Sequence, residues 1–190
     1  MTDAERPILQ HGFSEAQRAR AAELYWAAFS GKLAPIMGPT AKGHAFFARI
    51  LNPEFAITAQ SADGTLLGLA GFKTAQGALA DGTFSDLAAI YGWIGAAWRA
   101  LPLSLLERDL APDTLLRDGI LVAEEARGMG VGTALLDAIK AEAAQSGCTR
   151  VRLDVIDTNP RARALYERQG FTAEKTEHIG PFRHVFGFKT

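Results

Sequence analysis

Over residues 131–145 the apolar positions Val131, Ala134, Leu135, Ala138 and Ile139 recur at i, i+3, i+4, i+7 and i+8, with Asp137 and Lys140 outside the stripe. That spacing predicts an amphipathic helix, and Ser146-Gly147 suits its C-terminal turn. The period then changes. Over 149–156, Val151, Leu153 and Val155 alternate with Arg150, Arg152 and Asp154, the two-residue repeat of a strand with one buried face. Residues 115–122 form a β-like run ahead of the helix, and 123–126 lead from it into a glycine-studded loop at 127–133. Asn159 and Pro160 predict the start of a second helix over 161–169, because Asn caps and Pro suits the first turn; Gly170 stops it.

The N-terminal half is patterned less regularly. A short strand is expected near Ile8-Leu9. Ser14 and Gln17 match a capping box, and Ala19, Ala22, Trp26 and Phe29 repeat at helical spacing until Gly31. Residues 31–39, with two prolines and two glycines, predict a loop, followed by a helix over 42–51. Runs at 55–61 and 66–73 flank Asp63-Gly64, which predicts a hairpin. Two further strands, 171–177 and 183–189, surround the turn at 178–181 and are expected to close the sheet. The connection 74–114 is too long for a bare loop and predicts a helical insert. Thr83 and Asp86 form a second capping box there, ahead of residues 87–98, which carry no charge.

A chain of 190 residues with 48% apolar content and no interdomain linker suits one domain, 1–190, with a core that needs no disulfide or structural metal. Twenty basic against twenty-one acidic side chains give a net charge of −1, so no global field favours nucleic acid or an anionic membrane. Cys148 is the single cysteine and suits a reducing compartment, the cytoplasm by default. The polar start carries no signal-peptide pattern, and no run reaches transmembrane length. His11, His44, His178 and His184 lack ligand spacing, so no metal site is expected.

Gly128, Gly130 and Gly132 let the backbone turn tightly before a helix and present N–H groups to an anion. The phosphate loop of nucleotide hydrolases needs a following lysine, which is absent, and Thr133 stands where the third glycine of a dinucleotide fingerprint belongs. By themselves the glycines fit a tight strand-to-helix turn equally well. They are not by themselves: Arg127-Gly128-Met129-Gly130-Val131-Gly132 matches R-x-x-G-x-G after a strand, and Asn159-Pro160-Arg161-Ala162-Arg163-Ala164-Leu165-Tyr166 follows at a matching distance. The combination resembles the GNAT superfamily of acyl-CoA-dependent N-acyltransferases over about 115–177.

The resemblance implies an α/β fold with a mixed, mostly antiparallel central sheet, a splayed parallel strand pair, and helices on both faces. It implies that the strands ending at Val122 and Ile156 grip the pantetheine arm of acetyl-CoA, with backbone groups of Ile120, Leu121 and Val122 facing it. Arg127, Gly128, Met129, Gly130, Val131, Gly132 and Thr133, with Asn159 and Arg161, are the implied remainder of the cofactor site. For Arg161 and Arg163, contact with a coenzyme phosphate and ordinary solvation on a helix face both stand. Tyr166 is the matched acid position, where a phenol can donate to the coenzyme sulfur. Asp118 is the candidate base, placed by period two on one strand face with Ile120 and Val122; a solvated or ion-paired Asp reads equally well, and Glu124 is a rival.

The expected function is transfer of an acetyl group from acetyl-CoA to a primary amine, on a small molecule or a peptide, by direct attack. The alternative is a non-catalytic acyl-CoA-binding regulatory module. Nucleic acid, membrane and metal are not expected partners. The uncharged insert helix is expected to pack on the domain, to form a homodimer interface or to wall the acceptor cleft. Trp93 and Trp98, about 140° apart on a helix, are expected to divide the work, one packing on the core and the other facing a ligand or subunit.

Overall fold

The computed structural model describes residues 6–104, 113–156, 160–179 and 182–189. In chain order these form β1 (Ile8–His11), α1 (Arg18–Met37), α2 (Thr40–Ile50), β2 (Ala56–Gln60), β3 (Leu66–Thr74), β4 (Gly77–Ala78), α3 (Phe84–Ser104), β5 (Thr114–Val122), α4 (Val131–Gln145), β6 (Arg150–Ile156), α5 (Pro160–Arg168), β7 (Thr172–Ile179) and β8 (Phe182–Lys189). The strands make one sheet in the order β1-β2-β3-β5-β6-β8-β7, with β4 paired to β3. Every pairing is antiparallel except β5 with β6. This is the mixed sheet expected from the sequence. Among the described residues no helix is long and apolar enough to cross a membrane.

Helices cover both faces. At Gly68, the pair partner of Val122, a methyl group would lie 2.9 Å from Val131 Cγ1, so α4 lies on that face. At Gly119 a methyl would lie 2.9 Å from Phe29 Cζ, so α1 lies on the other. The core between these layers holds Leu69, Leu115, Leu121, Leu135, Ile139 and Leu153, all nearly inaccessible.

Local chemistry sets the element ends. Ser14 N–H donates to Gln17 Oε1 at 3.0 Å, completing the first capping box. Thr83 N–H donates to Asp86 Oδ2 at 2.9 Å and Asp86 N–H to Thr83 Oγ1 at 3.3 Å, completing the second. The β2–β3 turn places Gly64 at φ 83, as Asp63-Gly64 predicts.

The first helix is longer than the sequence suggests. It runs through Gly31 and Pro35 to Met37 rather than ending at Gly31. A proline removes a hydrogen bond to the carbonyl four residues earlier and crowds it. Here that position is Gly31, and the helix nevertheless runs on to Met37, which is fully buried.

The insert also departs from expectation. Helix α3 packs on α2 and α1, and Gly92, at φ 71 and ψ 166, breaks it into two segments. Trp93 is 72% exposed and Trp98 50% exposed, so neither is the core residue that the helical spacing suggested. The kink resets the helical phase, and Leu87, Tyr91 and Ala96 supply the buried side instead.

Candidate active site

Among the described residues the parallel ladder between β5 and β6 holds three pairs, Thr114 with Arg150, Leu115 with Val151 and Leu116 with Arg152. Its closed end is fastened by Asp113. The Asp113 carbonyl accepts from Thr149 N–H at 2.9 Å, and its carboxylate accepts from Thr149 Oγ1 at 2.8 Å. The Thr149 hydroxyl holds the Asp113 carboxyl below its ordinary range. Beyond Leu116 the strands part. The other edge of β5 stays paired to β3 as far as Val122 with Gly68, so 119–122 keep their strand shape with no ladder pair to β6 among the described residues. An opening of this kind accepts an extended arm, which can bond the edge at 119–122 as a strand would.

The loop after β5 leads into α4. A short helical turn at Glu124–Ala126 is followed by Gly128 at φ 84 and Gly130 at φ 80, a left-handed geometry that only glycine adopts without strain. The first bond inside α4 runs from Ala134 N–H to Gly130 O at 3.0 Å. The N–H groups of Val131, Gly132 and Thr133 therefore have no carbonyl to bond within their own helix. No acidic side chain occupies that first turn, so the positive end of the helix faces outward uncompensated. Backbone and field together suit a phosphate. Arg127 is exposed and lies 3.6 Å from Glu124, an ion pair of little energetic weight. Met129 is half exposed.

Gly132 joins the loop to the other two parts of the site. A methyl there would lie 3.8 Å from both Val122 Cγ2 and Leu165 Cδ2, so the first turn of α4 faces the end of β5 and the side of α5 at once. Next to Leu165 stands Tyr166, buried to 4% exposure. The helix end fixes it. Gly170, at φ 81, donates from N–H to Glu167 O at 3.1 Å and Phe171 N–H donates to Tyr166 O at 3.0 Å, which is a Schellman closure. Phe171 then packs edge-on against the Tyr166 ring at 6.2 Å. Lys140 of α4 donates to Gln169 O at 2.6 Å and lies 5.0 Å over the Phe171 ring, tying α4 to that closure. Arg161 sits in the first turn of α5, and Asn159 lies outside the described residues.

Asp118 is placed by an irregularity. The β3–β5 register steps from Gly71 with Gly119 to Phe72 with Arg117, so Asp118 is the extra residue of a β-bulge. The two-residue alternation does not pass through a bulge unchanged. Tyr25 Oη of α1 donates to Asp118 Oδ2 at 3.4 Å, and Gly119 faces Phe29 of the same helix. Asp118 therefore addresses α1, not the face of Ile120 and Val122 to which simple alternation assigned it. Arg117 takes that face instead, its guanidinium 4.9 Å from the Tyr166 ring centroid.

Two residues of this site escaped the sequence reading. Tyr25 lies between the rings of Phe29 and Phe47, at 4.7 and 4.6 Å. Burial first, then the Asp118 charge and hydrogen bond, push its hydroxyl well above the ordinary tyrosine value, so it stays a donor. Arg117, 7% exposed, is the second. A charged residue after the apolar pair Leu115-Leu116 was its available signal. Glu124 stands on the exposed loop with 87% side-chain exposure. Among the described residues no three His, Cys, Asp or Glu side chains are grouped to hold a metal ion.

Residues 18–171 match the model of the acetyltransferase (GNAT) family. Among curated relatives, the chain is 30% identical over 90 residues to the mycothiol acetyltransferase of Corynebacterium jeikeium (strain K411), covering 47% of this chain and 26% of that protein. It is 38% identical over 72 residues to the thialysine N-epsilon-acetyltransferase of Bos taurus, covering 38% and 41%. It is 37% identical over 92 residues to the 5-NmdU N-acetyltransferase of Pseudomonas phage PaMx11, covering 46% and 63%. The matches thus span less than two thirds of each of these relatives. Among solved structures, an N-acetyltransferase from Staphylococcus aureus Mu50 superposes with a TM-score of 0.72 at 13% identity, over 96% of this chain and all of that one. A GNAT superfamily phosphinothricin acetyltransferase from Sinorhizobium meliloti, solved in complex with AcCoA, superposes with a TM-score of 0.61 at 15% identity, over 97% and 88%. At these identities the superpositions show the shared fold.

Proposed function

Because the chain belongs to the acetyltransferase (GNAT) family, we propose that it transfers an acetyl group from acetyl-CoA to a primary amine, by direct attack of the amine and without an acetylated enzyme residue. The observation that carries this reading is the meeting at Gly132, where the anion-ready turn of α4 faces both the end of the open β5 edge and the helix that holds Tyr166. That arrangement fits an acyl-CoA. The N–H groups of Val131, Gly132 and Thr133 suit its diphosphate, and the edge of Ile120, Leu121 and Val122 suits its pantetheine amides. Acetyl-CoA supplies an acetyl group activated as a thioester.

The chain's own residues then manage two protons. An alkylammonium, with a pKa of roughly 10, must lose a proton to become a nucleophile. In this reading Asp118 accepts it, with the Tyr25 hydroxyl holding the carboxylate in place. Tyr166 Oη holds the proton that the departing sulfur takes up. The bulge supports the division, since it directs Asp118 toward α1 while Arg117 and Tyr166 meet on the opposite face. The acceptor amine accordingly approaches from the α1 side, on a small molecule or a peptide.

The test is Tyr166→Phe, which keeps the ring packed against Phe171. Its affinity for coenzyme A by calorimetry is expected to match that of the unaltered chain. Its release of free thiol from acetyl-CoA, with an amine panel, is expected to fall by ~10²-fold or more. Coenzyme A binding by the unaltered chain with no thiol release for any amine would replace this reading with a non-catalytic acyl-CoA-binding module.

A further inference from the structure

Beyond Gly92, helix α3 carries an apolar face that the described residues cover only in part, Phe84 lying 5.7 Å from the Trp93 ring and Arg99 4.2 Å over the Trp98 ring. Trp93 is 72% exposed, Ile94 88%, Trp98 50% and Leu101 71%, and Ala97 between them is exposed as well. Ile94, Ala97, Trp98 and Leu101 stand at i, i+3, i+4 and i+7. Those are the four corners of the hole into which a facing helix inserts a side chain. Trp93, beside the small corner at Ala97, is a large side chain of the kind that fills such a hole. The break at Gly92 turns this face outward while Tyr91 before it and Ala96 after it stay buried.

We propose that this face is a two-fold interface between two copies of this chain, α3 against α3. Area points to a second copy. With 150–250 Å² for a large apolar side chain, the exposed fractions amount to roughly 600 Å² per copy, most of the ~800 Å² that one partner contributes to a stable interface. Charge points the same way. Residues 87–98 carry no charged side chain, and the guanidinium of Arg99 is engaged between the rings of Tyr91 and Trp98, at 4.0 and 4.2 Å. A partner must therefore be uncharged where it meets this face, and across a two-fold axis the face meets its own equal. It offers both the large side chain and the hole, so it is complementary to itself. A lipid surface is a poorer match, because an interfacial helix carries rows of Lys and Arg on its polar side, and the chain's net charge is −1.

Sedimentation of the full chain across a wide dilution series tests the proposal. The unaltered chain is expected to be a dimer. Ile94→Glu is expected to raise the dimer dissociation constant ~30-fold or more. Its circular dichroism is expected to stay unchanged, because Ile94 touches little of its own chain, while its thermal midpoint loses the protein-concentration dependence that a dimer confers. Ile94→Cys, in a Cys148→Ser background, is expected to give a covalent dimer on mild oxidation. A monomer at every concentration overturns the proposal, and so does a dimer that Ile94→Glu leaves intact. A monomer that sediments with uncharged phosphatidylcholine vesicles also overturns it and assigns the face to lipid.

Discussion

Arg117 and Tyr166 meet face to cation, the guanidinium carbon 4.9 Å from the ring centroid, with exposures of only 7% and 4%. A desolvated contact of this kind contributes up to about 2 kcal/mol. Arg117→Met keeps most of the side-chain length and drops the charge, so it is expected to lose about 1–2 kcal/mol in urea denaturation. Arg117→Lys is expected to lose less. Equal losses for both would mean that the cation over the ring is not what the site uses.

The glycines of the loop separate by substitution. Gly130 sits at φ 80 with open space around it, so Gly130→Ala costs conformational strain alone, about 1–2 kcal/mol. Gly132 is helical, and a methyl there would find ordinary contacts at 3.8 Å. Gly132→Ala is therefore expected to be neutral or to gain up to about 1 kcal/mol from helix propensity. Parallel urea curves check the order, and a reversed order would contradict the backbone described for this loop.

Alkali probes the Tyr25–Asp118 contact. The folded chain keeps the Tyr25 hydroxyl protonated above its ordinary value, chiefly by burial and then by the Asp118 charge. Its stabilising contribution is complete below the unfolded-state pKa of about 10 and is lost as pH rises from there through the higher folded-state value. Tyr25→Phe is expected to flatten that part of the alkaline stability curve. Denaturation midpoints measured in steps upward from about pH 9 would show it.

Acid acts on the insert instead. The Thr83 hydroxyl and N–H, followed by Arg49, hold the Asp86 carboxyl below its ordinary range. Its contribution is present above the unfolded-state pKa of about 4 and is lost as pH falls through the lower folded-state value. Asp86→Asn is expected to cost about 1 kcal/mol at neutral pH, the size of a helix cap, and progressively less as pH falls through the lower folded-state value. A cost that persists in acid would place the effect in packing.

Much of the fold is written in local chemistry. Ser14 with Gln17, Thr83 with Asp86, and Asp63-Gly64 each place an element boundary through contacts within three or four residues, and all three are found. The glycine loop and the Gly170 helix end belong to the same kind. What the sequence conceals is set at a distance. The β5 bulge arises from the register with β3, some fifty residues earlier in the chain, so counting by twos along β5 sends Asp118 to the wrong face. Gly31 and Pro35 look like a helix break because each disfavours a helix; the chain nonetheless stays helical to the buried Met37, a packing contact that no local pattern shows. Likewise the helical count from Trp93 to Trp98 stands, since both follow the kink at Gly92, but the count does not say which face the second segment buries, and Ala96 takes that side.

The three-pair ladder between β5 and β6 has a mechanical consequence. It divides the sheet into two panels, β1-β2-β3-β5 and β6-β8-β7, hinged at Asp113 and Thr149 and unlatched at the far end. Within each panel, load spreads over long antiparallel ladders. Between them it passes through a few bonds at one corner and through α4, which packs on β3, β5 and β6. The panels are accordingly expected to be the units of partial unfolding, with amide protons on the β6-facing edge of 119–122 exchanging with solvent ahead of those turned toward β3. Any molecule that spans the gap acts as a cross-brace, turning two loosely coupled panels into one cooperative sheet.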